Sequence, residues 1–219
     1  MDEELAQTAR ERLYSAVLSD VLDELGCPEH TMKPHVRPLD DGLVMFGRAR
    51  TGLYMEMYEV EEGINPYELE IELVDDLKPG DVVVLACPDS HRVAPWGELL
   101  STASRARGAM GCVTDGLVRD VRLVRDMQFP VFAGGIGPLD SKGRAMVMRI
   151  NVPVVCAGAR VEPNDYIFGD ADGVVVLPAK LASAAVEKGL QKVAQEDTVR
   201  AELERGDKLA EVFARHGIL

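Results

Sequence analysis

Positive charge and aromatic rings are both scarce in this chain. Its 219 residues carry 24 Lys and Arg against 37 Asp and Glu, a net charge of −13, with 5% aromatics and a single Trp. A surface of that sign repels phosphate backbones, and no basic run or stacking series of aromatics offsets it, so nucleic acid is excluded as a partner. No apolar run approaches the ~20 residues of a membrane-spanning helix, which excludes a membrane partner of that kind. The opening stretch, residues 1–13, is charged and lacks the apolar core of a signal peptide and the acid-poor composition of a transit peptide. The expectation is a soluble, cytoplasmic protein.

Metal-binding and nucleotide-binding signatures are missing too. Cys27, Cys87, Cys112 and Cys156 form no CxxC pair, and His30, His35, His91 and His216 are equally scattered. A structural zinc site is therefore excluded, and buried free thiols are expected. Gly134-Gly135-Ile136-Gly137 lacks the following Gly-Lys-Ser/Thr of a phosphate loop. No glycine-rich S-adenosylmethionine loop follows a first strand, which argues against a methyltransferase. There is no repeat, low-complexity segment or linker, and with 47% apolar content one domain over 1–219 is expected.

What is present reads as a mixed α/β chain. Helical spacing runs over residues 3–25, with a restart at Ser19 or Asp20 and a stop at Gly26-Cys27-Pro28. A strand is expected over 43–55, a helix over 65–77, and a buried strand at VVVLAC (82–87). Helix 97–107, strand 109–114 and helix 117–127 follow, with Asp115-Gly116 as a turn. Strands are expected at 130–133, 145–150, 152–156 and 173–177, with turns at 134–138, at 162–165 and at Asp170-Ala171-Asp172-Gly173. A long helix, about Ala179 to Arg205, carries the stripe Ala182, Ala185, Val186, Leu190 and Val193, to pack on its own sheet or on a neighbouring subunit. A short helix follows Gly206-Asp207.

The most informative stretch is WGELLSTASRARGAMGCVTDGLVRD, residues 96–120. It sets Glu98 at a helix start and Arg119-Asp120 after a strand. Each has an ordinary reading: Glu98 as a first-turn acid favoured by the helix dipole, Arg119-Asp120 as part of a surface network with Arg122, Arg125 and Asp126. Together, two carboxylates and a guanidinium at the ends of neighbouring elements could hold a hard divalent cation beside an anionic substrate. His91-Arg92, after the VVVLAC strand, could line the pocket mouth.

Four segments carry a resemblance to a known family: GRARTG (47–52), GDVVVLACPDSHRVAPWGELLSTASRARGAMGCVTDGLVRD (80–120), FPVFAGGIGP (129–138) and VEPNDYIFGDADGVVVLP (161–178). The chain resembles the RraA-like family, in its branch of 4-hydroxy-4-methyl-2-oxoglutarate/4-carboxy-4-hydroxy-2-oxoadipate aldolases. The resemblance implies an αββα-type sandwich, a β core flanked by helices, assembled as a homotrimer or homohexamer with sites between subunits. It implies a lyase that uses Mg²⁺ or Mn²⁺ to cleave 4-hydroxy-2-oxo acids to pyruvate plus an oxo acid, with oxaloacetate decarboxylation as a second activity. By position, Asp120 would be the direct metal ligand and Glu98 would hold metal-bound water. Arg119 would contact the pyruvyl oxygens, and the N–H groups of Leu99 and Leu100, after Gly97, would take the substrate carboxylate. Glu196, from a neighbouring subunit, would complete the outer shell.

The same resemblance offers a rival, a non-catalytic regulator that inhibits an endoribonuclease by protein contact. Regulators generally lack the Arg-Asp pair, and this chain keeps it. The chain departs from the family pattern at Ala133-Gly134-Gly135, at Asn164 and at Leu123, which bears on the substrate more than on the metal. Both expected reactions pass through the enolate of pyruvate, which a chelating cation and Arg119 would stabilise. The expected base for the aldol step is a metal-bound water held by Glu98, with His91 as an outside candidate.

Overall fold

A computed structural model describes residues 1–60, 62–87 and 92–218. His91 lies outside the described residues. The order of elements is α1 (Glu3–Arg12), α2 (Ser15–Glu24), β1 (Arg37–Pro38), β2 (Met45–Glu56), α3 (Glu68–Asp75), β3 (Asp81–Ala86), α4 (Glu98–Ala106), β4 (Gly111–Val118) and α5 (Val121–Asp126). Then come β5 (Val131–Ile136), β6 (Ala145–Ile150), β7 (Val154–Cys156), β8 (Ala159–Val161), β9 (Tyr166–Asp170), β10 (Gly173–Leu177), α6 (Ala182–Glu204) and α7 (Leu209–His216).

The main sheet runs β1-β5-β4-β3-β2-β9-β10, with β6 also on β2, while β7 and β8 form a separate ribbon. Strands β2 to β5 are parallel neighbours through β3 and β4; β1, β6, β9 and β10 join antiparallel. The sheet nearly closes on itself. Thr31, just before β1, bridges Val175 of β10, and the Arg37 guanidinium donates to the Ala171 and Asp172 carbonyls at 2.8 and 3.0 Å. The β layers of the expected sandwich are thus parts of one continuous sheet.

Strand alternation divides the core. In β3, Val82, Val84 and Ala86 point to the sheet's interior with Met45, Phe132 and Ile167, whereas Val83 and Leu85 point outward beneath α3, α4 and α5. A strand buried on both faces reads as an unbroken apolar run. A second outer patch is covered by α1, α2 and α6, where Ala182, Ala185, Val186 and Val193 pack on Leu13, Leu18 and Phe168. The apolar stripe of the long helix is therefore spent within the chain.

Three local expectations are corrected. The N-terminal helix breaks at Leu13-Tyr14, both extended, and Ser19 and Asp20 lie inside α2. The start of α2 is capped from afar: the Ser15 N–H and hydroxyl both donate to Asp170, each at 2.7 Å. The Asp170–Gly173 turn does form, joining β9 to β10, and one of its acids is that cap. Gly134 and Gly135 lie inside β5, where a Cβ on Gly134 would collide with the Asp115 carbonyl.

Asp115-Gly116 is no turn, because β4 continues through Val118 and α5 starts only at Val121. The pairing with β5 shifts register between Thr114 and Leu117, so the pair forms an irregularity within the strand. A Cβ on Gly116 would sit 2.9 Å from Pro95 Cδ. The Asp115 carboxylate accepts the N–H groups of Cys87 (2.6 Å) and Ala157 (2.8 Å), tying β3 and the β7–β8 ribbon to β4. Asp115→Ala would orphan both donors, and we expect it to lower unfolding free energy in urea by about 2–3 kcal/mol. An unchanged urea midpoint would show that water takes over both donors.

Candidate active site

Where β4 ends, the chain is stitched to the start of α4. Trp96 bridges Val118 in parallel, and the Arg119 N–H donates to the Trp96 carbonyl at 3.0 Å. Gly97 and Arg119-Asp120 are thereby set side by side at the carboxyl ends of parallel strands, the usual place for ligands in α/β sheets. The glycine is required there: a Cβ on Gly97 would stand 2.8 Å from Asp120 Oδ2 and 3.0 Å from Arg119 Cγ. Asp120 adopts a left-handed backbone (φ 58°) at the start of α5 and accepts the Glu98 N–H at 3.3 Å. Asp is among the few non-glycine residues that tolerate that conformation.

Side chains complete the constellation. Arg119 lies between two carboxylates, with Nε 3.8 Å from Asp120 and Nη2 3.7 Å from Asp140. The Tyr67 hydroxyl donates to the other Asp140 oxygen at 2.6 Å. Glu98 accepts from the Thr102 hydroxyl at 2.8 Å, one turn along its own helix. Gly97 has no side chain to cap α4, and beyond the Glu98 N–H taken by Asp120 the N–H groups of Leu99 and Leu100 face its open N-terminal end. Tyr67, Glu98, Leu99, Leu100, Arg119, Asp120 and Asp140, together with Ala94, Pro95, Trp96 and Ile71, line a cavity of about 230 Å³.

The acids in this cavity differ in their surroundings. Burial works to raise the Asp140 pKa, but the Tyr67 hydroxyl, Arg119 and the N–H groups of Ser141 and Lys142 outweigh it and hold it below the ordinary value. Glu70 is 5% exposed. Burial pushes its carboxyl up to about 7; Asp140 adds to the rise, while Tyr54 and Arg119 oppose it. Burial, and then Asp140, lift the Tyr67 phenol to about 12, so it serves as a neutral donor.

Gly97, Glu98, Leu99, Leu100, Arg119 and Asp120, all foreseen, meet in this one cavity. Glu196 does not join them within the chain; it lies on α6 and accepts the Tyr14 hydroxyl. Arg92 reaches Glu56 at 3.7 Å and stands over the Tyr58 ring at 4.6 Å. Three of the cysteines are buried free thiols, as expected, and Cys27 is partly exposed. The sequence reading missed Tyr67, Glu70, Asp140 and Ser141. For Glu70 a signal existed: Tyr67, Leu73 and Val74 stand at i−3, i+3 and i+4, which places this acid on the buried face of α3. Asp140 and Ser141 are loop residues with no periodicity to betray them.

A family model described as Aldolase/RraA matches residues 15–176. The chain belongs to the RraA-like family. A Halalkalibacterium halodurans relative, whose name proposes a 4-hydroxy-4-methyl-2-oxoglutarate aldolase, is 32% identical over 180 residues, covering 82% of this chain and 80% of that protein. Among solved structures, an uncharacterized Pseudomonas syringae protein superposes with a TM-score of 0.87 at 26% identity, covering 98% of this chain and 95% of the other. Streptomyces coelicolor RraAS2, described as an unusual member of the RNase ES inhibitor RraA protein family, matches with a TM-score of 0.80 at 27% identity over 91% of this chain and 97% of its own. The mixed α/β fold with helices around a β core is thus the fold of these RraA-like neighbours. Among the described residues, no helix is long and apolar enough to cross a membrane.

Proposed function

We propose that this RraA-like chain is a divalent-metal-dependent lyase that cleaves 4-hydroxy-2-oxo acids, such as 4-hydroxy-4-methyl-2-oxoglutarate, to pyruvate and a second oxo acid. Oxaloacetate decarboxylation is its proposed second activity. The observation that carries this reading is the convergence of Arg119, Asp120 and the open start of α4 on one cavity. The guanidinium provides a planar fork of donors for the pyruvyl oxygens, and the N–H groups of Leu99 and Leu100 suit the substrate carboxylate. Trp96, Pro95 and Leu100 give the cavity an apolar wall, beside which these electrostatic contacts are stronger than in open water.

Among the described residues, no three His, Cys, Asp or Glu side chains gather as a ready cage for a metal. The oxygen donors instead suit a hard cation such as Mg²⁺ or Mn²⁺, held by one or two carboxylates and completed by waters and substrate. Asp120 would hold it directly and Glu98 through water. When bound, the cation supplies Lewis-acid stabilisation of the pyruvate enolate. Arg119 adds fixed positive charge where that negative charge develops, already oriented by Asp120 and Asp140.

We further propose that the site is completed in a homotrimer or homohexamer, with Glu196 of a second copy in the outer shell. In support, Leu99 and Ile71, which line the cavity, are 77% and 47% exposed in the single chain. The likeness to RraAS2 favours a second reading, a protein-binding regulator. A regulator gives no reason for the Arg119-Asp120 arrangement. Pyruvate release from the hydroxy-oxo acid, with and without EDTA, tests the proposal.

A further inference from the structure

Four carboxylates, Glu70, Glu98, Asp120 and Asp140, line the cavity with Arg119, and they are not equivalent. Asp120 faces Arg119 at 3.8 Å and accepts the Glu98 N–H. Asp140 faces Arg119 at 3.7 Å and accepts from Tyr67 and from the Ser141 N–H. Glu70 lies deeper, buried on α3, and no ion pair is found for it among the described residues. At its back is the Tyr54 hydroxyl, itself buried and without a partner at ordinary hydrogen-bond geometry among the described residues. Among the described residues, the charged and titratable groups near Glu70 include Tyr54, Tyr67, Cys112, Asp140 and Arg119.

We propose that Glu70 is the catalytic base of the cleavage reaction, taking the proton from the substrate's 4-hydroxyl and returning it to C3. This rests on the lyase reading above. Glu70 lines the same cavity as Arg119, Asp120 and the start of α4, which brings its carboxyl to the place where these groups would hold a small oxo acid. The Glu70 carboxylate accepts the hydroxyl proton as the C3–C4 bond breaks. The C4–O bond becomes a carbonyl, and the C3–C4 electron pair passes into the enolate of pyruvate. The protonated Glu70 then gives its proton to C3, forming the methyl group of pyruvate and restoring the carboxylate. A carboxyl titrating near neutrality exchanges a proton in both directions, as such a cycle needs. Decarboxylation of oxaloacetate releases CO₂ without removing a hydroxyl proton, and the pyruvate enolate it leaves can take its C3 proton from water after CO₂ has gone, so CO₂ release itself does not need Glu70.

The test compares wild type, Glu70→Gln and Glu70→Asp on two substrates, 4-hydroxy-4-methyl-2-oxoglutarate (pyruvate release) and oxaloacetate (CO₂ release), with oxalate binding as a readout without turnover. Glu70→Gln is expected to lower cleavage by ~1,000-fold. The same variant is expected to hold CO₂ release and the oxalate Kd within about threefold of wild type, and Glu70→Asp to recover part of the cleavage. Undiminished cleavage in Glu70→Gln would overturn the assignment. So would an equal loss in both reactions, or an oxalate Kd weakened more than about tenfold, since either marks a structural support of the Arg119 clamp. A wild type inert on both substrates would instead overturn the lyase reading, and this assignment with it.

Discussion

Asp120→Asn is expected to reduce metal-dependent pyruvate release by about 1,000-fold while leaving the fold intact. The substitution is chosen because Asp120 has two roles. Its backbone is left-handed and its carboxylate oxygen accepts the Glu98 N–H. Asparagine tolerates the same backbone and keeps an acceptor oxygen, so both local roles survive. What disappears is the negative charge that a divalent cation requires. Asp120→Ala would lose the acceptor and strain the turn, confusing a chemical defect with a structural one. Steady-state assays with saturating Mg²⁺, alongside thermal melting, separate the two. Near-wild-type turnover by Asp120→Asn would remove Asp120 from the metal-holding role.

A second large effect concerns stability. The Glu70 carboxyl is held at about 7 in the folded chain, against roughly 4.3 in an unfolded one. Below about pH 4 both states are protonated, and the contribution of Glu70 to stability is fully present. As pH rises toward 7 the unfolded chain ionises first, so stability falls, and the loss is complete above the folded pKa. Each pH unit between the unfolded and folded pKa costs about 1.4 kcal/mol, which makes the whole loss about 4 kcal/mol. Glutamine cannot ionise. In urea unfolding with EDTA present, Glu70→Gln is therefore expected to match wild type near pH 4 and to exceed it by about 4 kcal/mol at pH 8. A difference between the two proteins that does not change with pH would contradict this. The gain would also make the activity loss expected of that variant unmistakably chemical.

Much of the fold and site was legible because local rules decided it. VVVLAC is a strand buried on both faces, and the long helix carries a stripe that packs within its own chain. The grouping of Gly97, Glu98, Arg119 and Asp120 followed from a strand end and a helix start brought together by parallel pairing. The errors came where distant partners override local preference. Asp115-Gly116 reads as a turn, yet two N–H groups from other elements hold that aspartate inside a strand. The α2 start has no local cap because Asp170, far along the chain, supplies it. Glu70 sits among acids that look solvated, and only its phase relative to Leu73 and Val74 marks it as buried. Asp140 comes from a loop, where spacing carries no information about direction.

The central claim is that Arg119, Asp120 and the start of α4 form a metal-dependent site for 4-hydroxy-2-oxo acids. Pyruvate release from 4-hydroxy-4-methyl-2-oxoglutarate by the full chain, followed by coupled assay with Mg²⁺ or with EDTA, tests it most directly. The expected result is steady turnover with Mg²⁺, its loss in EDTA and its return when excess Mg²⁺ is restored. No pyruvate under any of these conditions, or release indifferent to EDTA, would contradict it.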